Sequence, residues 1–97
     1  MKLALGTAQF GQNYGVANTI GYIDEKKAAS IVRRSQEMGF DTLDTAIAYG
    51  ESESILGSIG VGQWKIISKL PAIHESCLDI NNYLLNLTLE SLKRLRV

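Results

Sequence analysis

The sequence has 97 residues, 45% hydrophobic and 21% charged, the composition of a soluble globular chain long enough for one small domain at most. Ten Lys plus Arg balance ten Asp plus Glu, and the basic residues form no long run, which argues against binding nucleic acid or another polyanion. No window reaches the roughly 18 consecutive apolar residues of a membrane span, Met1-Lys2 leads straight into Leu3-Ala4-Leu5-Gly6 without a signal-peptide core, and the single Cys77 and single His74 make neither an intrachain disulfide nor a zinc site, so a cytoplasmic protein without metal is the default expectation.

Taken in chain order, Leu3 to Phe10 is apolar and then small and polar, which suits a buried strand running into a loop at Gly6, Thr7 and Ala8. The turn formers Gly11-Gln12-Asn13-Tyr14-Gly15, Asn18-Thr19 and Gly21 predict a long loop. Asp24 is placed to cap a helix whose buried stripe is Ala28, Ile31, Val32, Ser35 and Met38, and Gly39 stops it. A second strand over Thr42 to Ala46 sets Thr42 and Asp44 on one face and Leu43 and Thr45 on the other. Ser52 can cap a short helix carrying Ile55, Leu56 and Ile59, which Gly57 weakens and Gly60 stops. Trp64 to Lys69 reads as a third strand. Beyond Pro71, Leu78, Leu85, Leu89, Leu92 and Leu95 form the core stripe of the strongest helix, with Lys93, Arg94 and Arg96 where cations suit its dipole.

Strands alternating with helices predict an α/β fold of parallel β/α units joined by right-handed crossovers. Such a sheet needs cover on both faces, and one layer of helices covers only one. A further strand is also expected after the last helix. The expectation is therefore the N-terminal portion of a (β/α)8 barrel. Its open edge after the third strand and the apolar face of the last helix favour self-association.

The glycines at 6 and 11 make no phosphate loop, because Gln12-Asn13 stands where a P-loop needs Lys and Ser or Thr, and there is no Gly-x-Gly-x-x-Gly. They suit a backbone that turns or approaches a ligand. His74, beside Glu75, reads as a solvated loop residue, and Cys77 as packing at a helix start. Asp44, Tyr49 and Lys69 stand out: an acid, a phenol and an amine near the carboxyl ends of successive strands suit a proton-donating site. Asp44 with Lys69 is also consistent with a plain buried ion pair.

The run Gly39 to Glu53, Gly-Phe-Asp-Thr-Leu-Asp-Thr-Ala-Ile-Ala-Tyr-Gly-Glu-Ser-Glu, followed by Ser68-Lys69-Leu70, resembles the aldo-keto reductases. The likeness extends from Leu3 to Val97, and its Asp-Thr-Ala-x-x-Tyr-Gly core is specific. It implies a TIM-barrel oxidoreductase that passes hydride between a nicotinamide and a carbonyl or alcohol, with Tyr49 as proton donor, Lys69 favouring the phenolate and Asp44 holding Lys69 charged. It further implies that Gly6, Thr7, Ala8 and Asp44 lie at the cofactor, which is expected to be NADPH, with NADH the alternative.

The chain departs from the family in three ways. The family's catalytic histidine closes a fourth strand and is not His74, most of its cofactor contacts come from later loops, and its usual N-terminal hairpin is missing. The 97-residue chain alone is therefore expected to be inactive. Two rival readings are a non-catalytic barrel fragment or pairing module that keeps these residues by descent, and a different barrel enzyme using Lys69 as a Schiff-base amine.

Overall fold

The computed structural model describes residues 2–12 and 23–97. Its elements run β1 (Ala4–Gly6), α1 (Glu25–Glu37), β2 (Thr42–Asp44), α2 (Ser52–Ile59), β3 (Lys65–Ile67) and α3 (Ile80–Leu95). The strands form one parallel sheet in the order β1-β2-β3, with Gly6, Asp44 and Ile67 side by side across it. The part of the predicted loop at 13–22 lies outside the described residues.

Local chemistry sets the ends of α1. The Asp24 carboxylate accepts the Lys27 amide at 2.8 Å, satisfying one of the first-turn donors. At the other end Phe40 N–H donates to the Ser35 carbonyl and Gly39 N–H to that of Gln36, both at 3.0 Å, a Schellman stop in which Gly39 takes φ 94°. Helix α2 starts differently from expectation. Ser52 makes no cap; it is the first helical residue, preceded by Glu51, and its hydroxyl turns into the protein instead.

The core lies between the helices and one face of the sheet. Leu43 on the central strand is fully buried and packs with Ala28 and Val32 of α1, Leu56 of α2, Val61, Trp64 and Leu95. A Leu side chain buried this way contributes about 1.5–3 kcal/mol through the hydrophobic effect. Gly57 does more than weaken α2. A Cβ there would run into the Arg94 carbonyl oxygen, so glycine is what lets α3 lie against α2 this closely.

Several burial expectations fail, the first because the sheet has helices on one side only among the described residues. The first strand is not buried, since Ala4 and Gly6 are exposed and only Leu5 turns toward the core. Met38 is exposed as well, because α1 has already reached its cap there. The leucine stripe of the last helix is largely not core. Leu95 is buried, but Leu85, Leu89 and Leu92 are exposed, and Leu78 stands outside the helix and fully in solvent. Alongside them runs a groove of about 370 Å³ between β3 and α3, lined by Trp64, Ile66, Leu92, Leu95 and Val97 among others.

Candidate active site

Strand alternation decides which side chains meet. Leu43 and Thr45 turn toward the helices and are buried, whereas Asp44 turns to the open face. On the third strand Ile66 packs against the core and the Ser68 hydroxyl reaches Glu53 on the helix side, so the alternation carries Lys69 to the Asp44 side. Hydrogen bonding continues past both strand ends: Thr45 N–H donates to the Ile67 carbonyl at 2.8 Å and Ile47 N–H to that of Lys69 at 3.2 Å. This zippering brings the Lys69 ammonium onto Asp44 Oδ1, and a second bond from Nζ to the Thr45 carbonyl at 2.9 Å holds it there.

Tyr49 arrives from the turn between β2 and α2. Its N–H donates to the Ala46 carbonyl at 3.1 Å, its carbonyl accepts Ser52 N–H at 3.0 Å, and Gly50 follows with φ 56°. Lys69 Nζ sits 5.2 Å from the centre of the Tyr49 ring, within range of a cation–π attraction. The three predicted residues thus come together around one ammonium group. The Asp44 hydrogen bond raises the Lys69 pKa above its usual value, partial burial opposes this, and the Asp44 charge and the Tyr49 hydroxyl add to the rise.

The ion pair is not the buried one that a covered sheet predicts. The Lys69 and Asp44 side chains are 46% and 38% exposed, because nothing among the described residues covers that face. Gly6 lies beside Asp44 in register, and the space where its Cβ would stand is open. Thr7 behaves differently: it is fully buried, and both its amide and its hydroxyl donate to the Asp44 carbonyl at 3.0 Å. Of the four residues expected near a cofactor, Gly6, Ala8 and the Asp44 carboxylate are accessible among the described residues, while the Thr7 hydroxyl is committed inward. His74 is exposed, with Nδ1 2.7 Å from the Ser76 hydroxyl. Among the described residues no group of three or more His, Cys, Asp or Glu comes together as a metal site, and no helix is long and apolar enough to cross a membrane.

Sequence reading missed two buried polar groups behind the site. Ser52 Oγ lies 3.1 Å from the Thr7 carbonyl oxygen, 2.9 Å from Thr7 Oγ1 and 3.0 Å from Thr45 Oγ1. Glu53, 2% exposed, accepts Ser68 Oγ at 2.9 Å, the Ser91 hydroxyl, and Arg94 Nε and a terminal guanidinium nitrogen at 3.0 and 2.8 Å. Arg94 therefore serves a cross-helix ion pair rather than only the dipole of its own helix. A signal for Glu53 was present. It lies three and four residues before Leu56 and Gly57, on the buried stripe of α2, where a carboxylate requires a partner.

A model of the aldo/keto reductase family matches residues 2–97. The chain belongs to this family. An aldo-keto reductase structure from Pseudomonas aeruginosa is 35% identical with a TM-score of 0.77, and the superposition covers 97% of this chain and 38% of that one. A second from the same organism is 33% identical with a TM-score of 0.73, covering 97% and 36%. The holo form of a Bacillus halodurans aldo-keto reductase, 22% identical with a TM-score of 0.72 and covering 99% and 32%, shows the shared fold. The rat aflatoxin B1 aldehyde reductase member 2 is 42% identical over 60 residues, which are 60% of this chain and 14% of the rat protein. The chain thus spans about a third of the barrels it matches. Aldo-keto reductases generally use a nicotinamide cofactor.

Proposed function

We propose that this chain is the N-terminal part of one aldo-keto reductase barrel domain, and that the completed barrel is a cytoplasmic reductase of small aldehydes or ketones using NADPH. The observation that carries this reading is the Lys69 ammonium held between the Asp44 carboxylate and the Tyr49 ring on the open face of the sheet. A bound reduced nicotinamide would supply the hydride that the carbonyl carbon takes up. Tyr49 gives the proton that the carbonyl oxygen needs, so the product is the alcohol. Lys69 stabilises the negative charge left on the phenol oxygen, and Asp44 keeps Lys69 charged and in place. Gly6 and Ala8 offer backbone beside the pair, where a nicotinamide ring can lie. The aldehyde named for the rat relative favours a carbonyl substrate. The three strands among the described residues do not close a barrel, so the 97-residue chain by itself is inactive.

The test places residues 2–97 in the matched part of the first Pseudomonas structure, compares the chimaera with its Tyr49→Phe variant, and follows NADPH oxidation with a simple aldehyde. Tyr49→Phe removes only the hydroxyl, so turnover is expected to fall by orders of magnitude while fluorescence titration shows NADPH still bound. Near-normal turnover in the variant would remove Tyr49 from the chemistry.

A further inference from the structure

The Asp44–Lys69 contact joins two strand ends, and neither strand extends past residue 67. Backbone bonds from Thr45 N–H to the Ile67 carbonyl and from Ile47 N–H to that of Lys69 tie these ends to each other, and their placement on the rest of the fold needs further anchors. Behind the strand ends stand two adjacent residues of α2, Ser52 and Glu53, both buried and both hydrogen-bonded away from their own helix.

Hydroxyl chemistry gives the Ser52 group a direction. Each hydroxyl has one proton to donate. Thr7 gives its proton to the Asp44 carbonyl, Ser52 gives its own to the Thr7 oxygens, and Thr45 gives its own to Ser52. All three protons are used, and the chain ends on the backbone of Asp44 and on its neighbour Thr45. The Glu53 group acts on the other strand. One carboxylate oxygen takes both nitrogens from Arg94, and the other takes Ser91 and Ser68, the residue just before Lys69. Because Ser68 bonds on the helix side, its anchoring turns Lys69 to the opposite face, toward Asp44.

We propose that the first turn of α2 is a bracket for the site, in which Ser52 fixes the end of β2 at Asp44 and Glu53, through Ser68, fixes the end of β3 at Lys69. Both are positioning residues, and this rests on the reading of Asp44, Tyr49 and Lys69 given above. The turn that carries Tyr49 leads directly into the same bracket, since Ser52 N–H bonds the Tyr49 carbonyl. One helical turn therefore locates all three groups.

The experiment uses the 97-residue chain and needs neither cofactor nor substrate. The Lys69 side-chain methylene next to the ammonium is followed by carbon-13 NMR as pH is raised, with Asp44→Asn marking loss of the ion pair. Ser68→Ala and Ser52→Ala are expected to shift the Lys69 midpoint down, part of the way to that mark, and Ser68→Thr to restore it. Ser91→Ala removes a hydroxyl from the same Glu53 oxygen but lies on α3, and is expected to leave the midpoint in place. An unchanged midpoint in Ser68→Ala or in folded Ser52→Ala, or an equal fall in Ser91→Ala, overturns the bracket. If Ser52→Ala does not fold, Ser68→Ala decides alone, since Ser68 is exposed and its loss leaves the Glu53–Arg94 pair intact. Failure here counts against the bracket and not against Tyr49 as proton donor, which Tyr49→Phe tests separately.

Discussion

Gly57→Ala sets helix propensity against packing with opposite signs. Alanine in a helix interior is favoured over glycine by about 1 kcal/mol, so a reading of α2 as an isolated helix makes the variant more stable. The structure makes it less stable. The new Cβ would meet the Arg94 carbonyl oxygen far inside contact distance, and this obstacle is backbone, which cannot rotate away. Overpacking typically costs about 1–3 kcal/mol, and a backbone obstacle puts this case at the upper end, about 2–3 kcal/mol, because α3 must move off α2 and loosen the Glu53–Arg94 pair and the seat of Leu95. After the propensity gain the net loss is about 1–2 kcal/mol, worth roughly 4–16 °C in melting temperature for a chain of this size. Urea unfolding followed by the fluorescence of Trp64, which is 9% exposed in the core, measures it. Ser58→Ala, exposed on the same helix, is the control and is expected to gain a few tenths of a kcal/mol. A Gly57→Ala chain that is more stable than the parent would refute the close α2–α3 packing.

The last helix offers a second contrast: Leu95→Ala is expected to cost about 2–5 kcal/mol in the same assay and Leu85→Ala under about 1, because the first is buried and the second half-exposed. Equal losses would restore the leucine stripe to the core. A third expectation concerns alkaline pH. The fold raises the Lys69 pKa, chiefly through Asp44, so the stability this provides is fully present below the ordinary value of 10.5 and is lost as pH rises through the folded value. The pair is half-exposed and screened, so the contribution is under about 1 kcal/mol. It should appear as a slightly smaller stability loss above pH 10.5 in Lys69→Met than in the parent chain, and identical losses would count against it.

Element order and the meeting of Asp44, Tyr49 and Lys69 were legible because strand and helix limits depend on local signals. Asp24, Gly39 and Gly60 punctuate the helices chemically, and the alternation over Thr42 to Thr45 assigned Asp44 and Leu43 to opposite faces before any coordinates. Burial was not legible in the same way. The spacing of Leu85, Leu89 and Leu92 marks a face that is apolar, whereas its cover depends on what packs there, and the described residues supply nothing. Ser52 was read as a cap because serine at a helix start usually is one. Its hydroxyl instead answers Thr7, 45 residues earlier, a partner that only the parallel pairing of β1 with β2 brings near. Gly57 looked like a weak point for a similar reason, since the Arg94 backbone it accommodates lies on another helix.

In the proposed function Asp44 and Lys69 serve the proton of Tyr49 rather than merely joining two strands. Single-turnover hydride transfer in the chimaera, with NADPH prebound and the Asp44→Asn and Lys69→Met changes combined, tests it most directly. Binding of NADPH is expected to persist and transfer to be lost, with each single variant nearly as impaired as the double because the residues act as one unit. An unchanged transfer rate in a folded, NADPH-binding double variant would contradict the account and make Asp44 and Lys69 a structural ion pair.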